Sequence, residues 1–281
     1  METAQQARKA EQLRKLHEGP RILILANAWD VISARIMEDA GFPAVATTSA
    51  GVAAVLGYPD GQRVPQREML EFVARIARAV SVPVTADMES GYGTSPADMA
   101  EMARALVGAG AVGLNLEDVT GDDEGSHVEI GLQTEKIAAV REASAATGVP
   151  LVINARTDVY LMPIGPEETR FERTVERLRT YRKAGADCVF APGIREKETI
   201  GRLVRAVDAP LNILLQPGGP TVAELEKFGV ARASIGSGTM RAALGTARKF
   251  AKALSGYRDH AEFMKDAVPY DEVNRLLGRD S

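Results

Sequence analysis

The sequence predicts a (β/α)8 barrel. Three observations carry that reading: eight short apolar runs, segments of helical period between them, and glycines that close many of those segments just before the next run. Runs that are apolar at nearly every position suit strands buried on both faces. Glycine after a last helical turn is a stop signal. An open doubly wound sheet is the rival arrangement, and eight units without a domain break favour closure.

Residues 1–18 read as an N-terminal helix. The first run, "RILILA" (21–26), leads into Asn27, Trp29 and Asp30. The second, "AVATT" (44–48), follows a glycine stop in "EDAGFPAV" and ends in Thr48 and Ser49. "REMLEFVARIARAV" (67–80) is amphipathic and precedes the third run, "VPVTAD" (82–87), which ends in Asp87 and Glu89. "PADMAEMARALVGAG" (96–110) is the next helix, and its glycines open "AVGLNLE" (111–117), with Asn115, Glu117 and then Asp118. The fifth run, "PLVINAR" (150–156), carries Asn154 and Arg156, with Asp158 beyond. "DCVFAP" (187–192), "PLNILL" (210–215) with Asn212, and "RASIG" (232–236), leading to Ser237 and Arg241, complete the set. The barrel is expected over residues 1–256, with a helical extension over 257–281.

The bulk numbers bound the function. The 281 residues are 45% hydrophobic and 26% charged, enough to bury a sizeable core. A net charge of -4 with scattered basic residues predicts neither nucleic-acid nor anionic-membrane binding. One cysteine, Cys188, excludes an internal disulfide framework and a cysteine-built zinc site. There is neither a long apolar span nor a signal-like core, so the expectation is a cytoplasmic protein.

In such barrels the site lies at the carboxyl ends of the strands. Asp87, Glu89 and Glu117 are three carboxylates on adjacent strand ends. Unpaired they repel, and Mg²⁺ or Mn²⁺ with oxygen ligands relieves that; the alternative is a set of surface acids. Arg156 matches an anionic substrate, or else pairs with Asp158 or Glu117. The small-residue loop at Thr48, Ser49 and Ala50 offers backbone N–H groups to a carboxylate, or is a plain turn. Trp29, the single tryptophan, walls the pocket or packs. "GAGAVG" (108–113) spells a dinucleotide fingerprint but follows a helix and precedes a strand, the reverse of that motif. "QPGG" (216–219) and "GSG" (236–238) sit where barrels often hold phosphate, though glycines also serve turns.

The segments "ANAWDVISARIMEDAGFPAVATTSAGVA", "GYPDGQ", "ADMESGYG", "GLNLEDVTG" and "INARTDVYL" together resemble the isocitrate lyase / phosphoenolpyruvate mutase superfamily. The resemblance covers most of the chain. It implies a barrel whose last helix is exchanged between subunits, usually in a homotetramer. It implies Mg²⁺ and a small 2-oxo acid or its enolate. By position Asp87 would be the metal ligand, and Glu89, Glu117 and Asp60 would hold metal-bound waters. Thr48, Ser49 and Ala50 would bind the carboxylate and oxo group, Arg156 would neutralise the substrate, and Asn212 and Arg241 would lie toward its far end.

The loop after the fourth strand departs from that pattern. It reads "EDVTGDDEGSHVEIG", without the Lys-Lys/Arg-Cys-Gly-His segment of isocitrate and methylisocitrate lyases, and without the Lys and Asn of the mutase and phosphonopyruvate hydrolase branches. It offers Asp122, Asp123, Glu124 and His127 instead, with His127 and Glu124 as replacement acids beside Arg156 and Glu117. A lone loop histidine is more often solvated. Residues 119–131, acidic and with glycines at 121, 125 and 131, are expected to form a mobile lid, or else a solvated loop. The leading expectation is a Mg²⁺-dependent carbon–carbon lyase acting through an enolate. An oxaloacetate-type decarboxylase and a non-catalytic 2-oxo acid binding protein are the alternatives. The apolar residues after the last strand, Leu244, Phe250, Leu254, Phe263, Val273 and Leu276 among them, call for a partner surface and so a homo-oligomer, most simply a tetramer built from dimers.

Overall fold

The computed structural model describes residues 2–119, 126–162, 165–256 and 261–278, with backbone alone at 262 and 263. Eight parallel strands close a barrel in chain order. They are β1 (Leu23–Ala28), β2 (Val45–Thr47), β3 (Val84–Asp87), β4 (Gly113–Glu117), β5 (Val152–Arg156), β6 (Cys188–Phe190), β7 (Leu211–Leu214) and β8 (Arg232–Ser234). Each expected run holds one strand, because unbroken apolar runs bounded by helix stops fit nothing else in a two-sided parallel sheet.

The shell comprises α2 (Val31–Asp39), α3 (Ser49–Leu56), α4 (Gln66–Ala79), α5 (Pro96–Gly108), α6 (Ile130–Ala146), α7 (Arg170–Lys183), α8 (Lys197–Val207) and α9 (Val222–Phe228), after an N-terminal α1 (Thr3–Leu16). Three of these starts are fixed by side chains. Asp30, Ser95 and Thr221 cap α2, α5 and α9 in reciprocal capping boxes with Ser33, Asp98 and Glu224. Met69, Val73 and Ile76 form the buried stripe of α4 against the sheet, and each contributes about 1.5–3 kcal/mol of burial.

Helix α1 closes the end of the barrel opposite the strand tips. Gln6 Nε2 donates to the carbonyls of Val107 and Ala111 at 2.8 and 2.9 Å. Leu13 sits so close beneath β4 that a Cβ on Gly113 would lie 3.0 Å from its Cδ2. This plug leaves the other end free to carry the site.

Past β8, α10 (Gly238–Ser255) buries only Met240 and Ala253 and leaves Leu244 and Leu254 55% and 47% exposed. Two short helices follow, α11 (Ala261–Met264) and α12 (Tyr270–Leu277). The second lies on α2, where Arg275 Nη1 pairs with Asp39 at 3.2 Å and Leu276 is buried. Among the described residues, no helix is long and apolar enough to cross a membrane.

Candidate active site

Register places the polar strand-end residues in layers. Asp87 pairs in register with Asn115, and Asn115 with Asn154. One level further on, Glu117 is the register partner of Arg156, and Arg156 of Phe190. Parallel strands alternate their side chains between faces, so these residues point to one side as a set.

Asp87 is buried and hydrogen-bonded at both oxygens. Its Oδ2 accepts from the Ser49 amide at 3.1 Å and the Ser49 hydroxyl at 2.8 Å. Its Oδ1 accepts from Asn115 Nδ2 at 3.4 Å, and its own amide donates to Thr47 Oγ1 at 2.9 Å. The residues expected to form a carboxylate-binding loop are the first turn of α3, with Thr48 as its cap. Ser49 there does hold a carboxylate, and it is the protein's own.

After Asp87 the backbone turns sharply. Glu89, Gly91 and Tyr92 have φ of 51°, 96° and 61°. Non-glycine residues in this left-handed region carry strain of roughly 1–3 kcal/mol and are held by their surroundings. Gly91 suits the turn, since its φ favours glycine and a Cβ would fall 2.3 Å from Met99 Sδ and force that side chain to shift. The turn buries Glu89, whose Oε1 accepts from the Tyr92 hydroxyl at 3.2 Å. Burial, then the charges of Asp87 and Asp60, push the Glu89 carboxyl up to about 7.

Arg156 is shared by two acids. Its Nε and Nη2 donate to the two oxygens of Asp158 at 2.6 and 2.7 Å, and its Nη1 lies 2.8 Å from Glu117 Oε2. Both pairings weighed from the sequence are therefore present. Burial and neighbouring acids push Glu117 up to about 8 while Arg156 pulls against them. Arg156 is driven well above its ordinary value, because its burial is outweighed by Glu117 and Asp158. Asp158 is itself fixed by Asp118, whose Oδ1 accepts from the Asp158 amide at 3.1 Å. Asp118 is fully buried and takes further bonds from the Tyr181 hydroxyl at 2.6 Å and Arg177 at 2.9 Å.

Asp87 and Arg156 border a cavity of about 140 Å³ at the strand tips, while Glu89 and Glu117 stand behind its wall. Thr48, Ser49, Ala50, Asp60, Asp87 and Arg156 line it, with Asn27, Asn115 and Ser234 from the barrel interior. Asn212 lies behind that wall, fully buried, and donates to Ser234 Oγ at 3.2 Å. Trp29 does not line the cavity. Its Cβ would lie 2.7 Å from a Cβ on Gly51, and it packs on the Ala28–Met37–Ile76 cluster outside the barrel. Arg241 is exposed on the first turn of α10. His127 borders a separate cavity of about 620 Å³ with Gln62, Tyr92 and Lys136. It pairs with Val119 across the base of the 119–131 loop, and Asp122, Asp123 and Glu124 lie outside the described residues. A groove of about 460 Å³ at the opposite end, between α1 and the start of β1, carries no acid.

Asp87, Glu89, Glu117 and Asp60 offer oxygen donors of the kind Mg²⁺ and Mn²⁺ take. Among the described residues no three acids converge tightly enough to grip a bare cation. Acids spaced in this way could reach only a hydrated ion, through its waters. Sequence reasoning missed Thr47, Tyr92 and Gln62, because nothing in their local pattern sets them apart from core and turn residues.

The sequence profile described as phosphoenolpyruvate phosphomutase matches residues 13–255. A crystal structure from Burkholderia cenocepacia, assigned as a lyase or mutase, has a TM-score of 0.89 at 39% identity, covering 98% of this chain and 97% of that one. Oxaloacetate decarboxylase of Rhodopseudomonas palustris is 30% identical over 76% of this chain and 72% of its own. A crystal structure of 2,3-dimethylmalate lyase, described as a member of the PEP mutase/isocitrate lyase superfamily, has a TM-score of 0.83 at 27% identity, covering 96% and 94%.

Proposed function

The chain belongs to the phosphoenolpyruvate phosphomutase family, and on that footing we propose that it is a divalent-cation-dependent carbon–carbon lyase. Its substrate is a small 2-hydroxy or 2-oxo acid, cleaved through an enolate. One observation carries this reading: Asp87 and Arg156 face one cavity of about 140 Å³, with Glu117 in contact with Arg156. That volume suits an acid of a few carbons.

Asp87 would hold the cation, with Glu89, Glu117 and Asp60 reaching it through water. When bound, such an ion polarises a carbonyl or hydroxyl oxygen and offsets negative charge formed on it. The chain's own groups supply the rest. Arg156, held by Asp158, would use its remaining N–H bonds to stabilise the enolate oxygen. Glu117, in its ionised form beside Arg156, would take a proton from a substrate hydroxyl. The bond beside that carbon would break and leave a carbonyl there, its electron pair would become the enolate, and the proton taken by Glu117 would return to the enolate carbon.

Similarity to oxaloacetate decarboxylase favours a second reading, in which the departing fragment is carbon dioxide. That reaction needs no hydroxyl deprotonation. The third reading, a 2-oxo acid binding protein, requires no turnover at all. We further propose a homo-oligomer in which α10 is exchanged between subunits, supported by its largely exposed length.

The test is a turnover screen with oxaloacetate, 2,3-dimethylmalate and related acids, in Mn²⁺ and in EDTA, beside calorimetric titration with oxalate. Cation-dependent cleavage is expected. Oxalate binding without turnover of any acid would leave only the binding reading, and turnover unchanged by EDTA would remove the cation.

A further inference from the structure

Arg232 lies on β8 and is 1% exposed. A buried charge left unpaired costs several kcal/mol, so buried guanidinium groups are commonly gripped by a carboxylate. Among the described residues Arg232 makes no ion pair, and its Nε and Nη1 have no hydrogen-bond partner. Its one bond runs from Nη2 to Asn115 Oδ1 at 3.3 Å.

Asn115 carries that contact onward. Asn154 Nδ2 donates to the same Asn115 oxygen at 2.8 Å, and Asn115 Nδ2 donates to Asp87 Oδ1 at 3.4 Å. Two donors on its oxygen thus fix the amide with its nitrogen toward Asp87. Flipped, the amide would set a carbonyl oxygen against a carboxylate and waste both donors.

The ionisable groups facing Arg232 are Asp87 and Cys188 from the barrel wall and His17 from α1. Burial pushes the Cys188 thiol up to about 12 and pulls His17 down to about 4, so both are neutral at pH 7. Asp87 is the one carboxyl group among them.

We propose that Arg232 is a positioning residue of the acid site, a buried cation that locks the Asn115 amide and balances the charge of Asp87. The inference rests on the placement of Asp87 in the reacting site, while its test does not. The expected reach is electrostatic, since two unit charges retain an interaction over several ångströms in a protein interior.

The experiment is a double-mutant cycle on thermal unfolding of the full chain in EDTA, with Arg232→Met, Asp87→Asn and both. Arg232→Met is expected to lower Tm more in the wild-type background than in Asp87→Asn, where the charge it balances is gone. Arg232→Lys, which keeps the charge, should recover at least half of that difference. Folding of Arg232→Met only alongside Asp87→Asn is the extreme form of the same coupling and supports the proposal. Should Arg232→Met fold in neither background, Arg232→Gln takes its place in the cycle. Equal shifts in both backgrounds would assign Arg232 to packing and overturn the proposal. Mn²⁺ titration of wild type is the separate arm: no binding there would sink the cation reading and leave the cycle standing.

Discussion

Asp158 holds Arg156 on two nitrogens, at 2.6 and 2.7 Å, and so occupies the fork that the sequence offered to a substrate. Arg156 meets a ligand with the N–H bonds that remain, and Asp158 decides how it points. Asp158→Asn keeps the shape and removes the charge. We expect kcat/KM to fall roughly ten- to a hundredfold, as for other groups that orient a catalytic side chain. Arg156→Lys should fall further, because it loses the clamp and the planar fork together. Steady-state kinetics of both variants within a factor of two of wild type would reduce the pair to a packing contact.

Asp87 carries the cation prediction. Saturating Mn²⁺ at about a hundred times its Kd should stabilise the protein by about 2.7 kcal/mol through mass action. The rise in Tm should vanish in Asp87→Ala. A variant that keeps the full Mn²⁺-induced shift would move the cation elsewhere.

His17 should make stability depend on pH. It is 6% exposed, its Nδ1 contacts the Leu13 carbonyl at 2.8 Å, and its Nε2 has no partner among the described residues. Burial, then the charge of Arg232, lower it from 6.5 to about 4. Between those values the unfolded chain binds the extra proton and the folded chain does not, so stability falls as pH drops through that window. The loss approaches about 2–3 kcal/mol, at about 1.4 kcal/mol per pH unit. Denaturant melts at pH 7 and pH 4.5 should show a smaller difference for His17→Gln than for wild type. An identical difference would acquit His17.

Leu244 and Leu254 should report on assembly. Both are exposed on α10, which buries little of itself against its own barrel. Light scattering at micromolar concentration should give a multiple of the 30.0 kDa chain mass. Leu244→Asp with Leu254→Asp should shift it toward the monomer. A wild-type monomer would argue against exchange of α10.

Isocitrate and phosphoenolpyruvate should fail as substrates, because the loop after β4 supplies neither the cysteine acid nor the Lys and Asn of those activities. Release of glyoxylate from isocitrate, or phosphonopyruvate formation, at about 1 per second or faster would contradict this, since typical enzymes run at roughly 1–1000 per second.

The sequence by itself determined the barrel and the end at which its polar residues gather. Runs such as "VPVTAD" and "PLVINAR" are strands by local chemistry: apolar, bounded by helix stops, and closed by an acid or an arginine. Which group meets which was decided only by tertiary structure. Closure and register set Glu117 against Arg156, and α3 against Asp87, across gaps of tens of residues. Trp29 and Asn27 are two residues apart at one strand end, yet Asn27 faces the cavity and Trp29 packs outside it. Arg232 reads as an ordinary charge at the start of a strand, and closure of the barrel buried it. Local pattern fixes the element and its alternation. The pairing of charges depends on how far each strand is offset from the next, and that offset is a property of the closed sheet.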